Sequence, residues 1–210
     1  MDSFEKVVSE ILWMQGLWVQ TSVKVNLNAE EKVKINRPSS PRWELDVVAY
    51  SGRENLLYVV ECKSYLDSRG VTFAGVTGTD KATAARYKLF TDEKLWKVVS
   101  NRLRLDFAER RCAPGLNIRL CLACGRIATQ NDRIKLRDHF KERDWQLWDE
   151  DWLREHLNGM ANAKYENQIS YVVAKLLREK KAAPFQSNST RPAIEASDHA
   201  TDAFSSGETA

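Results

Sequence analysis

Apolar and polar positions along the chain change period several times, and each change predicts an element. Phe4, Val7, Val8, Ile11, Leu12 and Met14 fall close to helical spacing over residues 2–15, with Asp2 or Ser3 as cap and Gly16 as stop. Leu17–Leu27 alternates with period two and predicts a strand. Residues 28–42 are polar with two prolines, and predict a short extension near Val33–Ile35 followed by a loop. Two apolar runs, Leu45–Tyr50 and Leu56–Cys62, flank Ser51-Gly52-Arg53-Glu54-Asn55 and predict a hairpin. The Gly-, Ser- and Thr-rich stretch Ser64–Thr79 predicts a loop at the end of the second hairpin strand.

Beyond that loop, Asp80 caps a predicted helix through Phe90, and a longer helix follows over Asp92–Arg111. Leu116–Cys124 is nearly continuous in apolar residues, the pattern of a strand buried on both faces. Residues 131–142 predict a helix, Trp145–Trp148 a short strand, Glu150–Leu157 a helix, and Asn167–Lys181 an amphipathic helix. This order implies an α/β sandwich around a mixed sheet, antiparallel at the hairpins and parallel where a helical crossover leads into Leu116.

Composition adds boundaries. The 210 residues, 43% hydrophobic and 29% charged, suit one soluble domain over residues 1–182. Residues 183–210 are rich in Ser, Thr and Ala, and are expected to be a disordered tail without chemistry. That tail carries one arginine and four acids, so the net charge of +3 leaves +6 on the rest, compatible with a polyanionic partner. No apolar run reaches the roughly 18–20 residues that span a bilayer, and Met1–Lys6 does not resemble a signal peptide. A cytoplasmic protein with no membrane partner is expected. The four cysteines are few and irregular, so reduced thiols are expected; Cys121-x-x-Cys124 puts its sulfurs on opposite strand faces and reads as core.

The candidate chemistry lies in the hairpin. Folded about the bond between Arg53 and Glu54, it sets Asp46 opposite Glu61, with Lys63 on the same face as Glu61 and Glu44 on that of Asp46. Opposed like charges destabilise a sheet. A hard divalent cation between the carboxylates relieves that cost, Mg²⁺ (or Mn²⁺) before Zn²⁺. A lysine beside such a site can orient water or neutralise charge on a phosphorane-like transition state.

L-D-V-V-A-Y followed by V-V-E-C-K resembles the signature of the PD-(D/E)xK nuclease superfamily. The resemblance implies Asp46 and Glu61 as metal ligands and Lys63 as a catalytic residue. It also implies a restriction-endonuclease-like three-layer sandwich, a central mixed sheet flanked by helices, over roughly residues 4–125. F-E-K-V-V-S-E-I-L-W-M-Q-G is similar to the first helix of archaeal Holliday-junction resolvases and Mrr-like restriction endonucleases. In those families a glutamate stands eleven residues before a glycine, as Glu5 does before Gly16. By that resemblance Glu5 completes the site, Glu10 is a weaker candidate, and the backbone carbonyl of Cys62 is a further ligand. Leu45 stands where the family has proline, and Glu44 has no place in the pattern.

The expected activity is metal-dependent endonucleolytic hydrolysis of DNA phosphodiesters, in restriction and defence, repair or recombination. Catalytic roles fall to Glu5, Asp46, Glu61 and Lys63, and Lys81, Arg86 and Lys88 are candidate nucleic-acid contacts. The alternative is a non-cleaving nucleic-acid-binding or assembly subunit of the same fold. No specificity module is visible, so a homodimer or a partner protein is the expected source of specificity.

Overall fold

The computed structural model describes residues 2–39, 42–110, 114–164 and 166–177. The first helix, α1, runs Ser3–Met14 behind a capping box: the Asp2 carboxylate accepts the Glu5 N–H at 2.8 Å, and the Glu5 carboxylate accepts the Asp2 N–H at 3.0 Å. Strand β1 follows at Trp18–Val25.

The expected extension near Val33–Ile35 is instead helix α2, Ala29–Lys34. Its origin is a second capping box, Asn28 with Glu31. Glu31 also takes Arg102 in a two-pronged contact, with guanidinium nitrogens 2.7–3.1 Å from its oxygens.

Strands β2 (Trp43–Ser51) and β3 (Leu56–Lys63) form the expected hairpin. After them come three short helices, α3 (Phe73–Val76), α4 (Lys81–Ala84) and α5 (Lys88–Thr91), then the long α6, Glu93–Arg110. The helix expected from Asp80 through Phe90 is thus two single turns. Asp80 does cap the first, accepting the Ala82 N–H at 3.0 Å. The break falls at Tyr87, whose φ and ψ are −127° and 40° and whose side chain is drawn into the core. Strand β4 (Asn117–Cys124), α7 (Gln130–Glu142), β5 (Gln146–Trp148), α8 (Glu150–Asn162) and α9 (Ile169–Leu177) complete the order. The expected tail over 183–210, the last residues of the final helix, and Arg111 and Cys112 lie outside the described residues.

The five strands form one mixed sheet in the order β1-β2-β3-β4-β5, antiparallel between β1, β2 and β3 and parallel between β3, β4 and β5. Alternate strand residues feed two apolar clusters. Val48, Leu57, Val59, Leu120 and Leu122 pack with Leu95, Val99 and Leu103 of α6 and with Leu136 and Phe140 of α7. Val47, Ala49, Val60, Cys121 and Ala123 pack with Phe4, Val8, Ile11 and Leu12 of α1 and with Leu153 of α8. Period-two alternation assigns the clusters to opposite faces of the sheet. Cys62, Cys121 and Cys124 are buried free thiols, Cys121 in one cluster and Cys124 in the other. Among the described residues no helix is long and apolar enough to cross a membrane.

Candidate active site

The hairpin register follows the fold point between Arg53 and Glu54: Ser51 faces Leu56 and Val47 faces Val60. Continued by one step it sets Asp46 against Glu61, but the backbone ladder stops at Val47. In its place an Asp46 carboxylate oxygen accepts the Cys62 N–H at 2.7 Å. The β1–β2 ladder also skips this level, pairing Thr21 with Val47 and Val23 with Leu45 on either side of Ser22 and Asp46. Ser22 sits at φ 52°, a left-handed conformation uncommon for a non-glycine strand residue. The sheet is therefore distorted on both sides of Asp46, and local strain of this kind gathers at functional sites.

Lys63 and Glu61, two apart on β3, share a face, and the Lys63 ammonium donates to a Glu61 oxygen at 2.6 Å. Asp46, Glu61 and Lys63 are all half-buried. Burial raises the Glu61 pKa above the usual carboxylate value, the charges on Asp46 and Glu5 add to the rise, and Lys63 opposes it. Asp46 is raised by burial against the pull of the Cys62 N–H and Lys63, with Asp2 and Glu44 adding to the rise. Glu5 is likewise raised by burial and by the charge on Asp46, against the Asp2 hydrogen bond. Burial works against the Lys63 ammonium, yet Glu61 and Asp46 together lift its pKa above the ordinary lysine value, so it stays protonated.

Three carboxylates from three elements thus feel one another's charge, with the Lys63 ammonium among them. Glu5 serves both as the capping acid of α1 and as a member of this cluster. Glu10 does not join it: its carboxylate is buried, accepts the Ser170 N–H at 3.1 Å and pairs with Lys6 at 3.3 Å. Glu44 is exposed and stands across from Lys24. The Cys62 side chain turns into the α1 cluster.

The donor set, hard carboxylate oxygens, fits a divalent cation. Present side-chain directions keep the acids on separate partners, Glu5 on Asp2, Asp46 on Cys62 and Glu61 on Lys63. Accordingly, among the described residues no three His, Cys, Asp or Glu side chains converge as a metal-holding group.

The raised pKa values carry a prediction for the metal-free protein. A carboxylate raised on folding contributes stability that is complete below the ordinary carboxylate range and is lost as pH rises through the raised value. Asp46→Asn removes one such acid and keeps an oxygen for the Cys62 N–H. In chelator, its melting temperature relative to wild type should therefore be higher at pH 7 than at pH 4. An equal difference at both pH values would contradict the charge cluster.

Of the candidate nucleic-acid contacts, Lys81 on α4 and Arg86 in the turn after it are exposed, and Lys88 on α5 is half-buried. Arg102 is committed to Glu31. Two residues beside the site had no signal in the pattern: Tyr65, at φ 41°, and Arg69, both in the loop after Lys63. Only the glycine–serine richness of that stretch marked it. Comparisons with protein-family models, with curated proteins and with solved structures gave no match.

Proposed function

We propose that the chain is a metal-dependent DNA endonuclease, hydrolysing phosphodiesters at the Asp46–Glu61–Lys63 end of the hairpin with Glu5 as a third acid. The observation that carries this reading is the pair of partly buried acids at the end of the hairpin, Asp46 on the Cys62 N–H and Glu61 on the Lys63 ammonium, with the partly buried Glu5 near enough to raise Glu61. Burying acids in this way is costly unless something compensates them. The mixed sheet with an apolar cluster on each face supports the restriction-endonuclease-like three-layer arrangement. The resemblance of L-D-V-V-A-Y and V-V-E-C-K to the PD-(D/E)xK signature points the same way.

Asp46, Glu61 and Glu5, with the Cys62 carbonyl, would hold Mg²⁺ or Mn²⁺. Bound there, the cation supplies Lewis-acid polarisation of the phosphodiester. Lys63 enters as a cation, so it serves as a hydrogen-bond donor to developing negative charge and as a guide for the attacking water, not as a base. Its anchor on Glu61 fixes the direction of that donor. Lys81, Arg86 and Lys88 contribute phosphate contacts that position the strand without reading sequence. Exposed apolar side chains on α9 (Ile169, Val173 and Leu176) and on edge strand β1 (Trp18) support self-association or a specificity partner.

The reading of a non-cleaving subunit of the same fold draws on one observation, the separate partners that the three acids now hold. Calorimetry separates the two. Wild type is expected to bind Mn²⁺ or Mg²⁺, and Asp46→Ala, folded by circular dichroism, is expected to lose that binding. A wild-type protein that takes up neither ion favours the non-cleaving subunit.

A further inference from the structure

A small cavity of about 180 Å³ opens beyond the end of β3, between the loop that follows Lys63 and the α4–α5 segment. Tyr65 and Arg69 line it from the loop, and Asp80, Arg86 and Tyr87 line it from the other side. At roughly 30 Å³ per water it holds a handful of waters, the space of one phosphate group.

The loop wall is pinned. Val71 N–H donates to the Arg126 carbonyl at 3.0 Å and the Val71 carbonyl accepts the Ala128 N–H at 2.9 Å, closing a parallel bridge to Ile127. Gly70 makes the approach possible. It sits at φ 97°, and a Cβ there would fall 2.9 Å from the Arg126 carbonyl oxygen. Arg69 is therefore carried on fixed backbone.

The other wall is tied to the catalytic strand. Tyr65, two residues past Lys63, adopts φ 41°, a left-handed conformation that a bulky side chain rarely takes. Its side chain lines the cavity together with Arg86 and the buried Tyr87, close enough to raise the pKa of both. The strained residue thus stands between the end of β3 and Arg86 in the cavity wall.

The charge balance is positive. Asp80 is the acid of the lining, and its oxygens are taken by the Ala82 N–H at 3.0 Å and the Thr83 hydroxyl at 2.7 Å. Two guanidiniums in the lining of a small open cavity are suited to a phosphate, which they can grip in paired hydrogen bonds.

Building on the nuclease reading, we propose that this cavity binds a backbone phosphate of the nucleic acid adjacent to the one cleaved, with Arg69 and Arg86 as donors and Tyr65 as the residue that positions Arg86. The cavity thereby sets which bond along the strand reaches Lys63.

The test is DNA binding by the full chain in chelator, followed by fluorescence anisotropy across a salt series. Arg69→Ala and Arg86→Ala change exposed side chains, so circular dichroism should report an intact fold. Each should lose about three- to tenfold in affinity and reduce the slope of log affinity against log salt by about 1. Tyr65→Phe should weaken binding in the wild-type background and have no effect in Arg86→Ala, a coupling that a merely structural role would not give. A duplex carrying one neutral methylphosphonate, walked along the strand, should reveal one position where wild type loses affinity and Arg86→Ala loses no more. A 5′-phosphorylated duplex forms the second arm; an arginine effect confined to it would reassign the cavity to a terminal phosphomonoester and overturn the proposal. Unchanged salt slopes, or equal losses at every methylphosphonate position, would overturn it while leaving the nuclease reading intact. A wild-type chain that binds no DNA would overturn both.

Discussion

Lys63→Ala will lower Mg²⁺-dependent DNA cleavage by about a hundred- to a thousandfold, the usual consequence of removing one well-placed donor to developing oxyanion charge. The Lys63 ammonium is fixed 2.6 Å from Glu61 and is the cation set among Glu5, Asp46 and Glu61. Its loss removes the donor to the phosphate and leaves the carboxylates to repel one another. On this account DNA affinity rests mainly on arginines and lysines elsewhere, and should change by no more than about threefold, since one phosphate contact among several contributes little to the total. Lys63→Arg should restore little activity, because a planar fork does not reproduce a compact point charge. Single-turnover rates and anisotropy on the same preparation check both halves. Cleavage within tenfold of wild type would contradict the role given to Lys63.

Gly125→Ala will destabilise the fold by about 3 kcal/mol, at the upper end of the usual cost of overpacking a close contact. A Cβ at this position would lie 2.2 Å from the Ser64 carbonyl oxygen, a backbone atom with no flexible end to move aside. The backbone is held in place there, with the Gly125 N–H donating to the Lys63 carbonyl at 3.0 Å. Relief requires β3 and β4 to part where β3 delivers Lys63, so activity should fall along with stability. Urea unfolding gives the free energy, and a loss below about 0.5 kcal/mol, the range of neutral surface changes, would contradict the packing. Gly159, where an added Cβ meets nothing within 4 Å, supplies the control.

The hairpin was legible in the sequence because three signals agreed: two apolar runs, a turn-rich pentapeptide between them, and acids placed symmetrically about it. The register between Ser51–Leu56 and Val47–Val60 follows from that symmetry alone. What the pattern did not convey was the end of the ladder at Asp46, where a side-chain oxygen replaces a backbone carbonyl as partner of Cys62 N–H. Periodicity describes which face a residue takes, not where a strand pair yields to a side-chain contact.

Helix α2 was misread for a different reason. The β-branched Val33 and Ile35 suggested extension, while the Asn28 and Glu31 capping pair, equally visible, set the local conformation. Arg102, far along the chain, then anchored it. The division of the Asp80–Phe90 segment depends on the burial of Tyr87, a tertiary demand with no local signature. Glu5 illustrates the opposite case. Its two readings, capping acid and site acid, are compatible, because the capping box fixes the carboxylate at the end of α1 that approaches Asp46.

The central claim is that the Asp46–Glu61–Lys63 end of the hairpin hydrolyses DNA with a divalent cation. Its most direct test is cleavage of a panel of linear, circular, single-stranded and branched DNA by the full chain, with Mg²⁺ or Mn²⁺ and with chelator. The account predicts cleavage of at least one substrate that stops in chelator and in Lys63→Ala. Intact DNA throughout the panel with either ion, from a folded protein, would contradict it, as would cleavage that survives the loss of Lys63.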